Sequence, residues 1–338
     1  MKAIGYRKPL PIESPESLID LDLPTPTAAG HDLLVAVKAV SVNPVDTKVR
    51  ASASPANEEY KVLGWDAAGT VLATGPEVTR FKPGDEVFYA GSLLRPGTNQ
   101  EFHLVDERLV GAKPKTLGFS EAAAMPLTGL TAWELLFERL GVEPGKASKG
   151  KTLLIIGGAG GVGSIMIQLA RQLTELTVVA TASRPESQQW CRELGAHHVL
   201  DHSRSLAEQM KAIQIPEAEL VVSLTATGAH YPALLDVLAP QGKFGLIDDP
   251  PSLDATELKR KSASLHWEFM FTRAVFNTAD MDTQNKILNQ LSTLVDQGTI
   301  RTTLAQTFGT INAANLKRAH ALIESGRSRG KIVLEGWS

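Results

Sequence analysis

The 338-residue sequence holds a single cysteine, Cys191, which excludes an internal disulfide and any metal cluster built from several thiolates. So thiol-poor a chain suits a reducing compartment, and a cytoplasmic protein is the expectation. Long apolar runs are missing as well. No segment approaches the roughly 20 apolar residues that span a bilayer, and the opening MKAIGYRKPL has no apolar stretch of signal-peptide length. A soluble chain with no membrane partner is expected. Charge of one sign is lacking too: 34 Lys and Arg against 37 Asp and Glu leave −3. The cations are scattered and form no stripe that a phosphate backbone would select, so nucleic acid is a poor partner. There is no internal repeat and no low-complexity tract.

What is present is ordinary globular material, 43% hydrophobic and 21% charged, on a chain longer than one core usually supports. Two domains are the default. As far as Pro126 the sequence shows short strand-like runs, LLVAVKAVSVN and WDAAGTVLATG, with a proline-glycine turn in FKPGDEVFYA; this reads as a β-rich domain over residues 1–126. From 127 to 271 helical segments alternate with short apolar runs (TLLIIG, TVVATAS, HHVLD, LVVSL, GKFGLID). That alternation means βαβ units and a parallel sheet covered on both faces. Residues 272–338 return to helices and a last strand, KIVLEG.

The sharpest local signal is TLLIIGGAGGVG, an apolar strand running into Gly158-Ala159-Gly160-Gly161-Val162-Gly163 and then an amphipathic helix. The G-x-G-x-x-G spacing has meaning only in this strand-turn-helix setting. There the glycines allow a tight turn, and backbone N–H groups can approach a pyrophosphate at the positive end of the helix. A turn that merely packs strand on helix is the plainer alternative. The next strand ends at Ser183-Arg184, with Ser183 standing 20 residues past Gly163. A site for NAD would place an acid there to bind the ribose hydroxyls. A hydroxyl and a guanidinium instead suit a 2′-phosphate, which favours NADPH, although Glu186 close behind leaves Arg184 open to being a solvated loop residue.

SVNPVDTKVR, LGWDAAGTV, FKPGDEVF, AAAMPLTGLTAW, GGAGGVG and GKIVLEG together resemble the medium-chain dehydrogenase/reductases. Within that superfamily the chain is most similar to the quinone oxidoreductase and zeta-crystallin branch, in the subgroup of zinc-type alcohol dehydrogenase-like proteins. The motifs run through nearly the whole chain in the right order. The resemblance implies an α/β protein: a GroES-like β-rich catalytic domain made of 1–126 plus the return 272–338, and between them a Rossmann doubly wound parallel-sheet domain, 127–271. It implies that nicotinamide enters an interdomain cleft. By motif, Thr128 matches a threonine at the nicotinamide end, and His202 falls where relatives have a tyrosine near the adenosine phosphate. Leu224, Thr225, Ile247 and Asp248 fall where relatives line the cofactor groove, and Lys331 matches a C-terminal contact.

Zinc-dependent relatives hold their catalytic metal with a cysteine, a histidine followed by glutamate, and a second cysteine. Here Asn43, Trp65-Asp66 and Ala124 stand at those places, and one carboxylate cannot replace a three-ligand site. Nor do the histidines supply one: His197 and His198 are adjacent and would face opposite sides of a strand. His31, His103, His230, His266 and His320 have no ligand spacing and read as surface or satisfied core. No metal is expected. Without a Lewis acid, alcohol oxidation is a weaker proposal than hydride transfer from NADPH to a quinone, enone or 2-alkenal.

Asn43 is the first choice for orienting substrate or ribose. Asp46 either supports it or caps a short helix beginning near Thr47. Tyr60 is either a proton donor or an exposed loop tyrosine, and Trp65 either shapes the pocket or packs beside it. SASLHWEFMFTR resembles the last Rossmann strand, which pairs across a two-fold axis in relatives, so a homodimer is expected against the alternative of a covered edge in a monomer. Two rival readings stay open: a zinc-type alcohol dehydrogenase with an atypical site, and a noncatalytic NADPH-binding sensor or crystallin-like protein.

Overall fold

The expected strand runs carry the β-branched and apolar residues that a sheet selects, and the computed structural model, which describes residues 1–55 and 59–337, resolves them into three sheets. In chain order, β1 (Lys2–Tyr6), β2 (Ile19–Asp22) and β3 (Asp32–Val42) precede α1 (Pro44–Ser52). Next come β4 (Lys61–Val62), β5 (Asp66–Thr74), β6 (Glu86–Tyr89), β7 (Phe102–Asp106) and β8 (Val110–Ala112), then α2 (Phe119–Ala123) and α3 (Pro126–Trp133). The middle of the chain alternates strand and helix as far as its last two strands: β9 (Thr152–Ile156), α4 (Gly161–Leu173), β10 (Thr177–Thr181), α5 (Pro185–Glu193), β11 (His198–Leu200), α6 (Leu206–Ala212), β12 (Ala218–Ser223), α7 (Thr227–Val237), β13 (Leu238–Leu246) and β14 (Ser264–Trp267). The return holds α8 (Thr272–Phe276), α9 (Thr283–Asp296), β15 (Leu304–Thr307), α10 (Ala313–Glu324) and β16 (Lys331–Glu335).

Two compact units result, one of residues 1–130 with 271–338 and the other of residues 131–270. In the first, a small sheet β2-β1-β4 accompanies a larger one of order β15-β16-β3-β5-β6-β8, with β7 also paired to β3. This is the GroES-like β-rich unit. The long strand β3 organises it: Leu33, Val35, Val37, Ala39 and Val40 are almost fully buried. Its far end pairs with β16 in the register Ile332↔Val42 and with β5 in the register Ser41↔Asp66. Chain segments nearly 300 residues apart thus end side by side.

The second unit is the Rossmann unit, a six-stranded parallel sheet of order β11-β10-β9-β12-β13-β14. Strand β9 is buried at all five positions, which explains its unbroken apolar run: a strand covered on both faces has no reason to alternate. The chain leaves β9 first toward β10 on one side and later returns to β12 on the other. The carboxyl end of β9 at such a reversal is where open α/β sheets form a crevice for ligands.

Candidate functional site

At the end of β9 the glycines do what the strand-turn-helix spacing requires, with one addition. Gly157, one residue before the expected motif, takes φ +80°, a left-handed conformation that costs other residues roughly 1 kcal/mol or more. A β-carbon on Gly163 would lie 2.5 Å from the Gly157 carbonyl oxygen and 2.7 Å from Gly158 Cα, and one on Gly158 would lie 2.8 Å from Ala180 Cβ. These two glycines let helix and strand touch. Gly160 differs: as the N-cap of α4 its missing β-carbon would meet only the Gly157 oxygen, at 3.4 Å. The space above it is open, as close backbone approach to a phosphate needs. Ala159 is buried, while Gly161 and Val162 begin α4 half-buried. Gly157 was legible in the doubled glycine ending the strand.

The other residues of this edge follow the neighbouring strands. Ser183 is exposed just past β10. Arg184, the N-cap of α5, has Nε 3.2 Å from Glu186 and a terminal nitrogen donating to Ser187 at 3.3 Å. The guanidinium is therefore at the surface of the crevice edge but engaged, and a phosphate must compete with Glu186. His202 Nδ1 lies 3.2 Å from Thr181 Oγ1, and the same oxygen accepts the Gly157 N–H at 3.2 Å. Leu224 and Thr225 follow β12, and the Thr225 methyl carbon would stand 3.0 Å from a β-carbon on Gly157. Ile247 is half-buried after β13. Asp248 accepts the backbone N–H of Thr227 at 2.9 Å and the Thr227 hydroxyl, so its carboxylate caps the positive end of α7. One edge of one sheet thus gathers the residues from Gly158 to Asp248 expected to hold a cofactor. The donor set fits a dinucleotide.

Thr128 and Lys331 lie in the other unit. Thr128 is buried in the first turn of α3. Lys331, expected as a cofactor contact, is 3% exposed. Its ammonium donates to Val42 O at 3.2 Å, to Asp66 Oδ2 at 2.9 Å and to Asn43 Oδ1. Three donors meet three internal acceptors, so Lys331 serves the interior instead.

Asn43 needs the same correction. It is 1% exposed, and its amide is committed at both ends, Nδ2 donating to Asp66 Oδ2 at 2.8 Å while Oδ1 takes Lys331. It is not free to orient a substrate in this arrangement. Helix α1 starts at Pro44, not near Thr47, because proline at the first helical position presets φ. Asn43 is consequently the N-cap. Asp46 is the third residue of the helix and accepts the Asn43 N–H at 2.6 Å. It is wholly buried, its second oxygen has no hydrogen-bond partner among the described residues, and burial pushes its pKa up to about 7 against the pull of that N–H and of Lys331. Asp46 thus ties the first turn of α1 to Asn43. Tyr60 is half-buried just before β4 with the Arg7 guanidinium 4.5 Å over its ring. Trp65 is 1% exposed, donating Nε1 to Ser92 O at 3.1 Å, which makes it a packing residue.

The same cluster tests whether zinc fits. Asp66 is fully buried and already accepts the Leu127 N–H at 2.7 Å through Oδ1 and Asn43 with Lys331 through Oδ2. Ala124 offers only a buried methyl, and its carbonyl is taken by Thr303 Oγ1. Amide, indole and methyl are not zinc ligands, and the one carboxylate is saturated around an ammonium. Among the described residues no group of three or more His, Cys, Asp or Glu is placed to hold a metal. Zinc does not fit these residues. Of the remaining histidines, His103 is satisfied by Tyr89 and Pro96 O at 3.0 Å each. His320, expected to be surface or satisfied core, is fully buried with both ring nitrogens lacking a partner among the described residues, and burial drives its pKa down to about 3.

Two families and several known proteins match this chain. The alcohol dehydrogenase GroES-like domain family is matched over residues 29–133 and the zinc-binding dehydrogenase family over residues 194–334. A zinc-type alcohol dehydrogenase-like protein of Staphylococcus aureus (strain MSSA476) is 39% identical over 99% of both chains. Among solved structures, a candidate zinc-dependent alcohol dehydrogenase from Rhizobium etli CFN 42 shares 59% identity, with a TM-score of 0.95, covering 100% of this chain and 98% of the other. The Escherichia coli quinone oxidoreductase complexed with NADPH shares 25% identity, with a TM-score of 0.84, over 99% of this chain and 100% of its own.

Proposed function

This chain belongs to the medium-chain dehydrogenase/reductase superfamily, among its zinc-type alcohol dehydrogenase-like proteins, and from that membership we propose that it is an NADPH-dependent, zinc-independent reductase of quinones or of activated C=C and C=O acceptors such as enones and 2-alkenals. The observation that carries the reading is the glycine cradle at the sheet's reversal point: Gly157 at φ +80°, Gly158 and Gly163 without room for a β-carbon, and Gly160 open above α4. NADPH, when bound, supplies the hydride, and a nicotinamide reductant of this kind needs no metal to act on an electron-poor acceptor.

The residues divide the work by position. Backbone N–H groups at the start of α4 would bind the pyrophosphate, and Ser183 with Arg184 would hold the 2′-phosphate. In the other unit Lys331, Asp66, Asn43 and Asp46 would fix the junction of β3, β5 and β16, on which the loops that recognise substrate are mounted. A quinone or enone fits this assignment better than an alcohol, because an alkoxide calls for a Lewis acid that the residues around Asn43 cannot hold.

The test is consumption of NADPH, followed by its absorbance, across a panel of quinones, enones, 2-alkenals, aldehydes and alcohols, with zinc measured on the same preparation. Turnover of quinones or enones by zinc-free protein is expected. Turnover confined to alcohols, or one tightly bound zinc per chain, overturns the reading. A noncatalytic role is the outcome if NADPH binds and no acceptor is reduced.

We propose further that the chain acts in the cytoplasm as a homodimer paired through the edge strand β14, where Trp267 and nearby Phe269 are 51% and 50% exposed. Large aromatics on an unpaired sheet edge favour strand addition.

A further inference from the structure

Strands β10 and β11 pair in parallel with Thr181 opposite Leu200. Ser183 and His202 thus follow neighbouring parallel strands at the same end of the sheet. His202 is tied to that edge through Thr181 Oγ1, the oxygen that also takes the Gly157 N–H. A second imidazole arrives from the far side of the crevice: His230, in the first turns of α7, meets His202 edge to face with ring centroids 5.6 Å apart and planes at 65°. His230 has no ligand spacing in the sequence, and only the fold brings it here.

The charged groups facing the pair are few. Asp201 lies beside His202 and Asp248 beside His230, each favouring a protonated ring, with Arg204 beyond Asp201. Burial opposes them, and for His230 the neighbouring His202 does so as well, so both rings titrate below the ordinary histidine range. Both rings are thus biased toward the uncharged form, at the same end of the sheet as Ser183 and Arg184. A phosphate dianion placed there would favour a positive ring strongly, since a nearby opposite charge raises the pKa of an imidazole.

We propose that His202, backed by His230, is a proton-linked discriminator for the 2′-phosphate: the phosphorylated dinucleotide binds with uptake of one proton from solvent onto His202, and the unphosphorylated one binds without it. This rests on the nucleotide site proposed above and adds the residue pair and the proton to it. No covalent bond is made or broken; one solvent proton moves to an imidazole nitrogen.

Isothermal titration calorimetry of the full chain with NADP⁺ and with NAD⁺, in two buffers of different ionisation enthalpy, counts the protons. The expected result is uptake approaching one proton for NADP⁺ and none for NAD⁺, with NADP⁺ bound about tenfold more weakly at pH 8.5 than at pH 6.5. The sign is diagnostic, because the 2′-phosphate itself loses charge near pH 6 and alone would weaken binding on the acid side. His202→Phe keeps the ring volume and should cost NADP⁺ about tenfold more affinity than it costs NAD⁺ at pH 6.5. His202→Lys, charged throughout, should restore the affinity without proton uptake. His230→Phe removes the repulsive neighbour and should move the uptake to higher pH. Tight NADP⁺ binding without proton uptake, or equal loss of both nucleotides in His202→Phe, overturns this proposal alone. Failure of the wild type to bind either nucleotide overturns it together with the nucleotide site.

Discussion

Lys331 Nζ and Asp66 Oδ2 stand 2.9 Å apart with 3% and 0% of their side chains exposed, and Asn43 bonds to both. A buried ion pair adds little net stability because desolvation offsets its attraction, but removing one partner strands the other charge. Lys331→Met should lower stability by about 3–5 kcal/mol. The double variant Lys331→Met/Asp66→Asn should lose clearly less than the sum of the single losses, read by urea unfolding. Additive losses would mean that the two side chains are not coupled.

The glycine cradle separates folding from binding. Gly163→Ala forces a methyl against the Gly157 carbonyl and should destabilise the protein by about 1–3 kcal/mol. Gly160→Ala meets no such crowding, so its melting temperature should stay near that of the wild type while NADPH affinity drops at least roughly tenfold. Calorimetric binding beside a thermal melt checks both. A Gly160→Ala protein that binds NADPH normally would remove the pyrophosphate from this turn.

Under the proposed function, Arg184 exchanges Glu186 for the 2′-phosphate. Arg184→Ala should raise KM for NADPH by roughly tenfold or more, the value of one charge-assisted contact, with KM for NADH little changed. Glu186→Gln, which removes the competing carboxylate, should lower KM for NADPH. Equal effects of Arg184→Ala on the two cofactors would refute the phosphate contact.

A pH dependence comes from Glu268, whose side chain is fully buried with Arg139 Nε 2.8 Å away. Burial, then Glu134, push its pKa up to about 8, against the pull of Arg139. Because the folded pKa exceeds the unfolded one, the folded protein keeps this proton while the unfolded chain loses it above about 4.5. Stability is thus full below that pH and declines as pH rises through about 8. Glu268→Gln cannot ionise and should flatten the decline, narrowing the difference in Tm between pH 6 and pH 9 by at least roughly 2–4 °C, the equivalent of about 1 kcal/mol in a domain of this size. A variant whose melting falls with pH as steeply as the wild type would exonerate this carboxyl.

The edge of β14 makes the last prediction. Trp267→Glu places a charge on the exposed strand edge and should turn a dimer into a monomer in light scattering, with secondary structure retained. A wild type that is already monomeric at micromolar concentration refutes the dimer.

How much of this was legible beforehand depended on distance along the chain. The glycine turn, strand β9 and helix α4 were readable because strand, turn and helix are contiguous and their physics is local. The start of α1 is readable too, in Asn43-Pro44 with Asp46 three residues on: proline at the first helical position outweighs a cap at Asp46, which would start the helix near Thr47. His230 gave no signal, since nothing in its neighbourhood marks a residue that meets His202.

By itself the sequence determined the two kinds of unit, the order of their elements and the place of the nucleotide turn, since hydrophobic period and glycine spacing act over a dozen residues. The tertiary structure alone decided that Asn43 and Lys331, 288 positions apart, close around Asp66. Strand register carries no local trace of which side chain lies opposite which, and it is register that turned an apparent substrate ligand and an apparent cofactor contact into a buried ionic knot.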